Sequence, residues 1–582
     1  MLKTLVAEIK EYKRPSILTP LFMIGEVIME MIIPLMMASI VNEGIEKGNT
    51  KHIYIMGALM IIATLISLWF GICGAKYGAQ AAMGFGKNLR KAMFEKIQTY
   101  SFANIDKFST PSLVTRLTTD VTNIQNSYQM ILRMCMRSPA CLICAMVMSF
   151  TISPKLASIY LVAVLLLGGA LFLIATKAMK YFRASFEKYD ELNQSVQENV
   201  SAIRVVKSFV RGEYEKKRFK KASQNIYNMF SSAENIIIWN APLMQLTIYS
   251  CILLISWFGA HLVVGGSMET GDLMALLTYC MNILVNLMML SMVFVMISMS
   301  VASARRICEV LDEESTIKNP ENPVYEVVDG SIVFENVTFR YSATSEAPVL
   351  DNINLTIKSG ETIGIIGGTG SSKSSLVNLI SRLYDVDEGC VSVGGKDVRE
   401  YDLDTLRNQV AVVLQKNVLF SGTILENLRW GNKDATEEEC IKACKMACAD
   451  EFIQTFPDKY NTYIEQGGTN VSGGQKQRLC IARALLKQPK VLILDDSTSA
   501  VDTATDARIR TALKEAIPGT TKIIIAQRIS SVQDADHIIV MNDGRIDGIG
   551  THEELLKNNT IYNDVYDAQT NGGGDFDEGG AN

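Results

Sequence analysis

Six apolar segments crowd the first half of this chain of 582 residues, at 16–42, 53–80, 128–150, 155–177, 241–265 and 272–298. Each has roughly the 20 residues that a bilayer demands of a helix. A water-soluble core cannot easily absorb so many helices of that length. Residues 1–304 therefore read as an all-α, six-helix transmembrane domain.

Charge orients the segments. The connections after the second and fourth are long and basic (Lys87, Arg90, Lys91, Lys96; Lys177, Lys180, Arg183, then Arg211, Lys216, Lys217, Arg218, Lys220, Lys221), whereas those after the first, third and fifth are short. Lys and Arg gather on the cytoplasmic side of membrane proteins, so the long connections and both termini are expected there, in a multi-pass protein of the cell membrane. The stretch Met1 to Arg14 is charged and carries no cleavable-signal pattern, so the first apolar segment is expected to stay in the membrane. A helical period persists in the long connections, as from Tyr189 to Val210. It predicts long cytoplasmic helical extensions that turn back near Asn104 to Pro111 and near Gly212 to Arg218.

Ionisable residues within the spans are few. Glu26 and Glu30 lie four apart on the first, and Arg133 and Arg137 four apart on the third, so each pair occupies one helical face. Two readings stand: neutralisation across a helix interface, or contact with a transported molecule. Methionine is abundant at Met23, Met29, Met31, Met36 and Met37, and again at Met288, Met289, Met292, Met296 and Met299. Such flexible thioethers suit a cavity for varied apolar molecules, and equally serve as plain packing.

Beyond the spans the composition changes. A polar linker at 305–329, with Pro320 and Pro323, leads to an α/β domain at 330–568 and then to an acidic, glycine-rich tail at 569–582 that is expected to be disordered. The formal charge of −5 argues against nucleic acid as a partner. The twelve cysteines follow no disulfide-framework spacing, and Cys440, Cys444 and Cys448, though on one helical face, lack a fourth metal ligand.

Within the α/β domain, an apolar run from Thr362 to Ile366 is followed by Gly367, Gly368, Thr369, Gly370, Ser371, Ser372, Lys373, Ser374 and Ser375, and then by a helical pattern (Leu376, Val377, Leu379, Ile380). Strand, glycine-rich loop and helix start make a phosphate cradle. Its backbone N–H groups and the positive helix end face an anion, Lys373 reaches the outer phosphates, and the Ser374 hydroxyl can hold Mg²⁺. The buried-strand run Val491 to Leu494 ends in Asp495, placed to sit beside the Mg²⁺ of a bound nucleotide. Ser472, Gly473, Gly474 and Gln475 open a second helix with a glycine-rich N-terminus. Tyr341 can stack on an adenine ring, and Gln415 can read Mg²⁺ or water.

In this order the motifs resemble the ATP-binding cassette (ABC) transporters, specifically exporter half-transporters of the multidrug type. The resemblance covers nearly the whole chain: Tyr341 as the aromatic stacker, the phosphate loop 367–375, Gln415, the signature Val471 to Gln475, Asp495, the loop Ser499 to Asp502, and a switch position after Ile523 to Ala526. It implies ATP and Mg²⁺ as ligands and two nucleotide domains dimerised head to tail, each ATP held between one phosphate loop and the other domain's signature.

The departures from that pattern are informative. Asp496 stands where hydrolytic sites of the family have glutamate, Gln527 where they have histidine, and Ser372 where the phosphate loop has glycine. Aspartate is shorter than glutamate by roughly 1.5 Å, and a displacement of that size can cost about a hundredfold in rate. Glutamine carries neither the charge nor the proton of an imidazole. The signature is close to consensus, Val471 replacing only the leading leucine. This asymmetry resembles heterodimeric exporters: the chain's own site is expected to bind ATP but hydrolyse it poorly, while its signature completes the active site of a second, non-identical half-transporter. Rival readings are a homodimeric lipid or drug flippase, and a regulatory membrane subunit that senses ATP without turnover. The cargo is expected to be an amphipathic or cationic small molecule.

Overall fold

The structure, a computed structural model, describes residues 1–342, 347–496 and 501–571, apart from the side chains at 182, 183, 185–187, 190, 191, 194, 299 and 571. Ser499 and Ala500 of the expected 499–502 loop, the side chains of Arg183 and Met299, and residues 572–582 of the expected tail lie outside the described residues. The chain divides into two units, Met1–Thr99 with Ser109–Glu313, and Tyr100–Phe108 with Glu314 onward.

The first unit is helical. Its elements are α1 (Leu2–Ala7), α2 (Lys13–Ser39), α3 (Thr50–Gln98), then, after the short α4 (Phe102–Phe108) of the other unit, α5 (Thr110–Thr115), α6 (Val121–Ile152), α7 (Pro154–Ser201), α8 (Ile203–Ser208), α9 (Gly212–Ile237), α10 (Asn240–Val264) and α11 (Thr270–Asp312). Among the described residues, six helical stretches are long and apolar enough to cross a membrane, and each coincides with one of the segments expected from sequence. Helices α3 and α7 run well past the apolar stretches, as the persistent period predicted. The second reversal of chain falls at Phe209–Arg211, where Val210 takes φ +55°, so Gly212 to Arg218 already form the first turns of α9.

Backbone and side-chain polar groups shielded from water favour pairing within the protein, and in this unit many of them pair across helices. The Tyr279 hydroxyl donates to Met31 O at 2.6 Å, the Tyr160 hydroxyl to Leu276 O at 2.7 Å, and Gly271 N to Asn42 Oδ1 at 2.6 Å. Near the end of the α6 and α11 pairing, buried Asp120 accepts from Arg306 Nε at 2.7 Å and from Ser303 Oγ at 2.8 Å, and Arg116 bonds Glu309 at 2.9 Å. The charged pairs of the spans also meet: Arg137 lies 2.8 Å from Glu30 and 3.8 Å from Glu26. Neutralisation across an interface therefore accounts for Arg137 and its two carboxylates.

The second unit contains two main sheets. One is antiparallel, in the order β2 (Leu350–Ile357), β1 (Ile332–Phe339), β4 (Glu388–Val393), β5 (Lys396–Asp397). The other has the order β12 (Arg545–Gly550), β11 (His537–Asn542), β3 (Thr362–Gly367), β10 (Thr521–Ile525), β9 (Val491–Asp495), β6 (Val410–Val413), and is parallel except for β12. A two-stranded pair joins β7 (Gly422–Thr423) to β8 (Tyr463–Ile464). All five residues of β9 and of β10 are buried, the pattern of parallel strands covered on both faces. Even Lys522 is buried, its Nζ satisfied by the carbonyls of Ile517 and Thr520 at 2.9 Å each. The helices are α12 (Lys373–Ile380), α13 (Leu403–Gln409), α14 (Ile424–Leu428), α15 (Glu437–Met446), α16 (Asp450–Ile453), α17 (Gly473–Leu485), α18 (Thr503–Ala516), α19 (His552–Asn558) and α20 (Thr560–Asn571).

Three boundaries differ from the sequence reading. Helix α11 carries on through Arg305 to Asp312, residues assigned to the linker, because its apolar face continues through the buried Ile307, Cys308 and Val310. Residues 569–571, assigned to the tail, complete α20. The first turn of chain, α4, groups with the second unit: Phe102 packs on Tyr384 with ring centroids 6.1 Å apart, the Tyr384 hydroxyl donates to Asp106 at 2.8 Å, and Asn104 Nδ2 donates to Glu314 O at 3.0 Å.

Ile493 sits in the middle of the parallel sheet, fully buried and paired with Ile523 and Val412 on either side. Ile493→Ala is expected to destabilise the second unit by about 2–5 kcal/mol, read as a lower unfolding temperature in scanning calorimetry; an unshifted transition would contradict this placement of the core.

Candidate functional site

The parallel sheet decides which chemical groups meet. Strands β3, β10, β9 and β6 are successive neighbours with Ile365 opposite Ile525, Ile525 opposite Asp495, and Leu494 opposite Val413. Their carboxyl ends therefore lie side by side. The loop after β3 is 367–372, the residues after β10 lead to Gln527, β9 ends in Asp495 followed by Asp496, and β6 leads to Gln415. Ligands of open α/β sheets bind at this edge of the strands. A cleft of about 370 Å³ is lined there by residues from the 367–375 loop together with Gln415, Asp495, Asp496 and Gln527.

Local backbone explains the loop. A Cβ on Gly367 would stand 2.3 Å from Met541 O, so only glycine lets the chain leave β3 this close to β11. Ser372 takes φ +71°, the left-handed region, immediately before α12. A serine there carries a steric cost, of about 1–2 kcal/mol, that glycine avoids. Lys373 folds its ammonium back over the loop, donating to Gly367 O at 2.9 Å, Gly368 O at 2.8 Å and Ser371 Oγ at 3.2 Å. Burial holds its pKa below the ordinary lysine value, against the pull of Asp495 and Asp496.

Ser374 Oγ donates to Asp495 Oδ1 at 3.0 Å. Asp495 is buried, and burial raises its pKa above the usual carboxylate value while the Ser374 hydrogen bond lowers it. A hydroxyl and a carboxylate held against each other beside a phosphate loop form an oxygen donor set that suits Mg²⁺. Next to them, Asp496 adopts φ +45°, and its Oδ2 accepts from Gln527 Nε2 at 3.1 Å and Gln415 Nε2 at 3.4 Å. Burial raises its pKa too, opposed first by the Gln415 hydrogen bond. The carboxylate at this position is thus held by two amides.

Tyr341 lies at the edge of the cleft. Its hydroxyl is 2.9 Å from Ser375 Oγ, and its ring meets Phe339 and Tyr384 edge-on at centroid distances of 4.9 and 5.0 Å. The signature residues are not brought to the cleft: none of Ser472, Gly473, Gly474 and Gln475 lines it. They form a separate, exposed helix start, where Ser472 caps α17 by accepting from Gln475 N at 3.3 Å and Gln475 Oε1 accepts from Ser472 N at 2.9 Å.

One residue escaped sequence reasoning. Gln569, in the segment expected to be disordered, donates Nε2 to Gln527 O at 2.8 Å and accepts from Ile529 N at 2.9 Å, so α20 braces the backbone that presents Gln527. No local motif announces such a contact. The amphipathic pattern Ile561, Tyr562, Val565, Tyr566, which seats α20 on the core, is the signal that could have found it.

Two parts of the chain match known families: residues 16–307 match the ABC transporter transmembrane region, and residues 350–499 the ABC transporter domain. The chain is 36% identical over 561 residues to the uncharacterized ABC transporter ATP-binding protein YfiB of Bacillus subtilis, covering 96% of this chain and 97% of that one. It is 36% identical over 567 residues to an ABC transporter ATP-binding protein of Mycobacterium tuberculosis, with 97% of both chains covered. The mitochondrial potassium channel ATP-binding subunit of Mus musculus is 32% identical over 566 residues, 94% of this chain and 78% of that one. A solved bacterial Atm1-family ABC exporter with ATP bound superposes with a TM-score of 0.84 over 96% of this chain and 99% of that one, at 22% identity, a likeness of fold.

Two variants test the geometry. Ser372→Gly removes the left-handed strain and is expected to tighten binding of a fluorescent ATP analogue by up to about tenfold; unchanged or weaker binding would show that the serine is not strained. Gln569→Ala removes both braces and is expected to raise hydrogen exchange at the Ile529 amide about tenfold, whereas unaltered protection would mean that α20 does not hold the Gln527 segment.

Proposed function

This chain belongs to the ABC transporters as an exporter half-transporter, and on that premise we propose that it is the slow-site subunit of a heterodimeric exporter of amphipathic, drug-like compounds. The observation that carries the reading is Asp496, one carbon short of glutamate and hydrogen-bonded to the amides of Gln415 and Gln527. A general base must reach the attacking water, and here the short carboxylate is turned toward two glutamines. In this reading Gly367 to Ser375 cradle the phosphates, Lys373 exchanges its loop carbonyls for phosphate oxygens, Ser374, Asp495 and Gln415 hold Mg²⁺, and Tyr341 stacks on adenine. The metal would neutralise charge developing on the phosphates.

Ser472, Gly473, Gly474 and Gln475 stand apart from that cleft, as residues that serve another chain's site must. The helix start they cap offers backbone N–H groups to the phosphates of a nucleotide held by the partner. Binding of ATP at both sites would close the nucleotide domains and reopen the transport cavity outward; hydrolysis at the partner's site would reset it. The basic stretches support a nucleotide domain and termini in the cytoplasm, with the spans in the cell membrane. The ATP-sensing reading draws on one observation, the name of the mouse relative, an ATP-binding subunit of a channel.

Purified alone in lipid, the chain is expected to hydrolyse ATP slowly, and Asp496→Glu combined with Gln527→His to raise that rate by about a hundredfold. Paired with a half-transporter that carries glutamate and histidine at those positions, activity should be high and lost on changing the partner's glutamate to glutamine. Fast turnover by the unaltered chain alone would overturn the slow-site reading. Fast hydrolysis by the pair without movement of any amphipathic probe across the vesicle membrane would favour the sensing subunit.

A further inference from the structure

Arg137 is in close contact with Glu30 and Glu26, whereas its neighbour one turn earlier has only a longer-range attraction to Glu26. Arg133 makes no hydrogen bond or ion pair among the described residues, and its Nε is buried without an acceptor. Its stem is seated deliberately: a Cβ at Gly78 of α3 would stand 3.2 Å from Arg133 Cδ and 3.2 Å from Cγ2 of Thr19 on α2, so the absent side chain makes room for the arginine between the two helices. Arg133 lies nineteen residues, about 28 Å along the axis, from Ile152 at the far end of α6. That depth places it near the cytoplasmic boundary of a hydrocarbon core about 30 Å thick.

A guanidinium at such a site, with five donors and no acceptor, is costly unless something supplies oxygen atoms. Because the two carboxylates within the spans both engage Arg137, a cationic cargo finds no free counter-charge here, whereas an anion finds one. We propose that Arg133 is the head-group receptor of the transport pathway and that the cargo is an amphiphile bearing a phosphate or carboxylate. The oxygens of that group accept from the guanidinium fork, and the apolar tail lies along the surrounding spans. This rests on the exporter reading and gives its amphipathic cargo an anionic head group.

The test uses the full chain in discs of zwitterionic lipid, measuring equilibrium binding of dodecyl phosphate, dodecanoate and dodecyltrimethylammonium, with ATP-analogue binding recorded on the same samples. The wild type is expected to bind the two anionic probes at least about tenfold more tightly than the cation, R133Q to erase that preference, and R133K to keep part of it, all with unchanged ATP-analogue binding. Phosphatidylglycerol added to the disc competes if the head group comes from a bilayer lipid and does not if it comes from a water-borne amphiphile; either result fits an anionic site. Preference for the cation, or an anionic preference that survives R133Q, would overturn the proposal, and the wild-type comparison alone decides it if R133Q does not fold. Loss of ATP-analogue binding by the wild type would instead count against the transporter reading on which it rests.

Discussion

The hydrogen-bonded register of the parallel sheet is the constraint from which the site follows. Because β3, β10, β9 and β6 run the same way with matched ends, four loops far apart in sequence open on one edge. Each strand is buried on both faces, so none can slip by one residue without turning apolar side chains out of the core. Slippage of β9 would move Asp495 away from Ser374, and slippage of β10 would move Gln527 away from Asp496. The precision of the site is thus a property of the ladder, and the side chains at its edge inherit it.

At that edge the chain departs from ideal local structure at two positions that line the cleft. Ser372 and Asp496 both hold positive φ, where a Cβ is crowded. Strain of this kind persists only where surrounding structure over-determines it. The close packing of Gly367 on Met541 fixes the entry to the loop, and α12 fixes its exit. Around Asp496 the restraint is polar: two amides on its carboxylate, and Gln569 on the strand end behind Gln527. Those bonds aim the carboxylate at two amides while it still lines the cleft.

In the membrane half the governing quantity is the cost of an unpaired polar group in a medium of low dielectric. Most such groups have a partner on another helix, and those partners set which helices touch: Tyr279 ties α11 to α2, Tyr160 ties α7 to α11, and Arg137 ties α6 to α2. Arg133 departs from this rule one turn from a residue that obeys it. The contrast between the two arginines, identical in chemistry and four positions apart, isolates ligand demand from structural demand.

Much of this was legible in the sequence because it depends on local pattern. Apolar runs of bilayer length marked the spans, the persistent period marked their extensions, and the glycines around Lys373, with Asp495 at the end of an apolar strand, marked the phosphate cleft. Chain order pointed to Gln415, and the resemblance to the ABC transporters to Asp496 and Gln527; each follows a strand. What the sequence could not decide were contacts between distant segments: that α11 continues through Arg305, that α4 joins the second unit, that Gln569 braces Gln527, and which of two arginines on one helical face takes the carboxylates. Those outcomes depend on which surfaces meet, and a pattern along one segment records only that a face is apolar or charged. The sequence by itself determined the elements and their chemistry; the tertiary structure decided their partners, because pairing energies arise only when separate segments exclude water together.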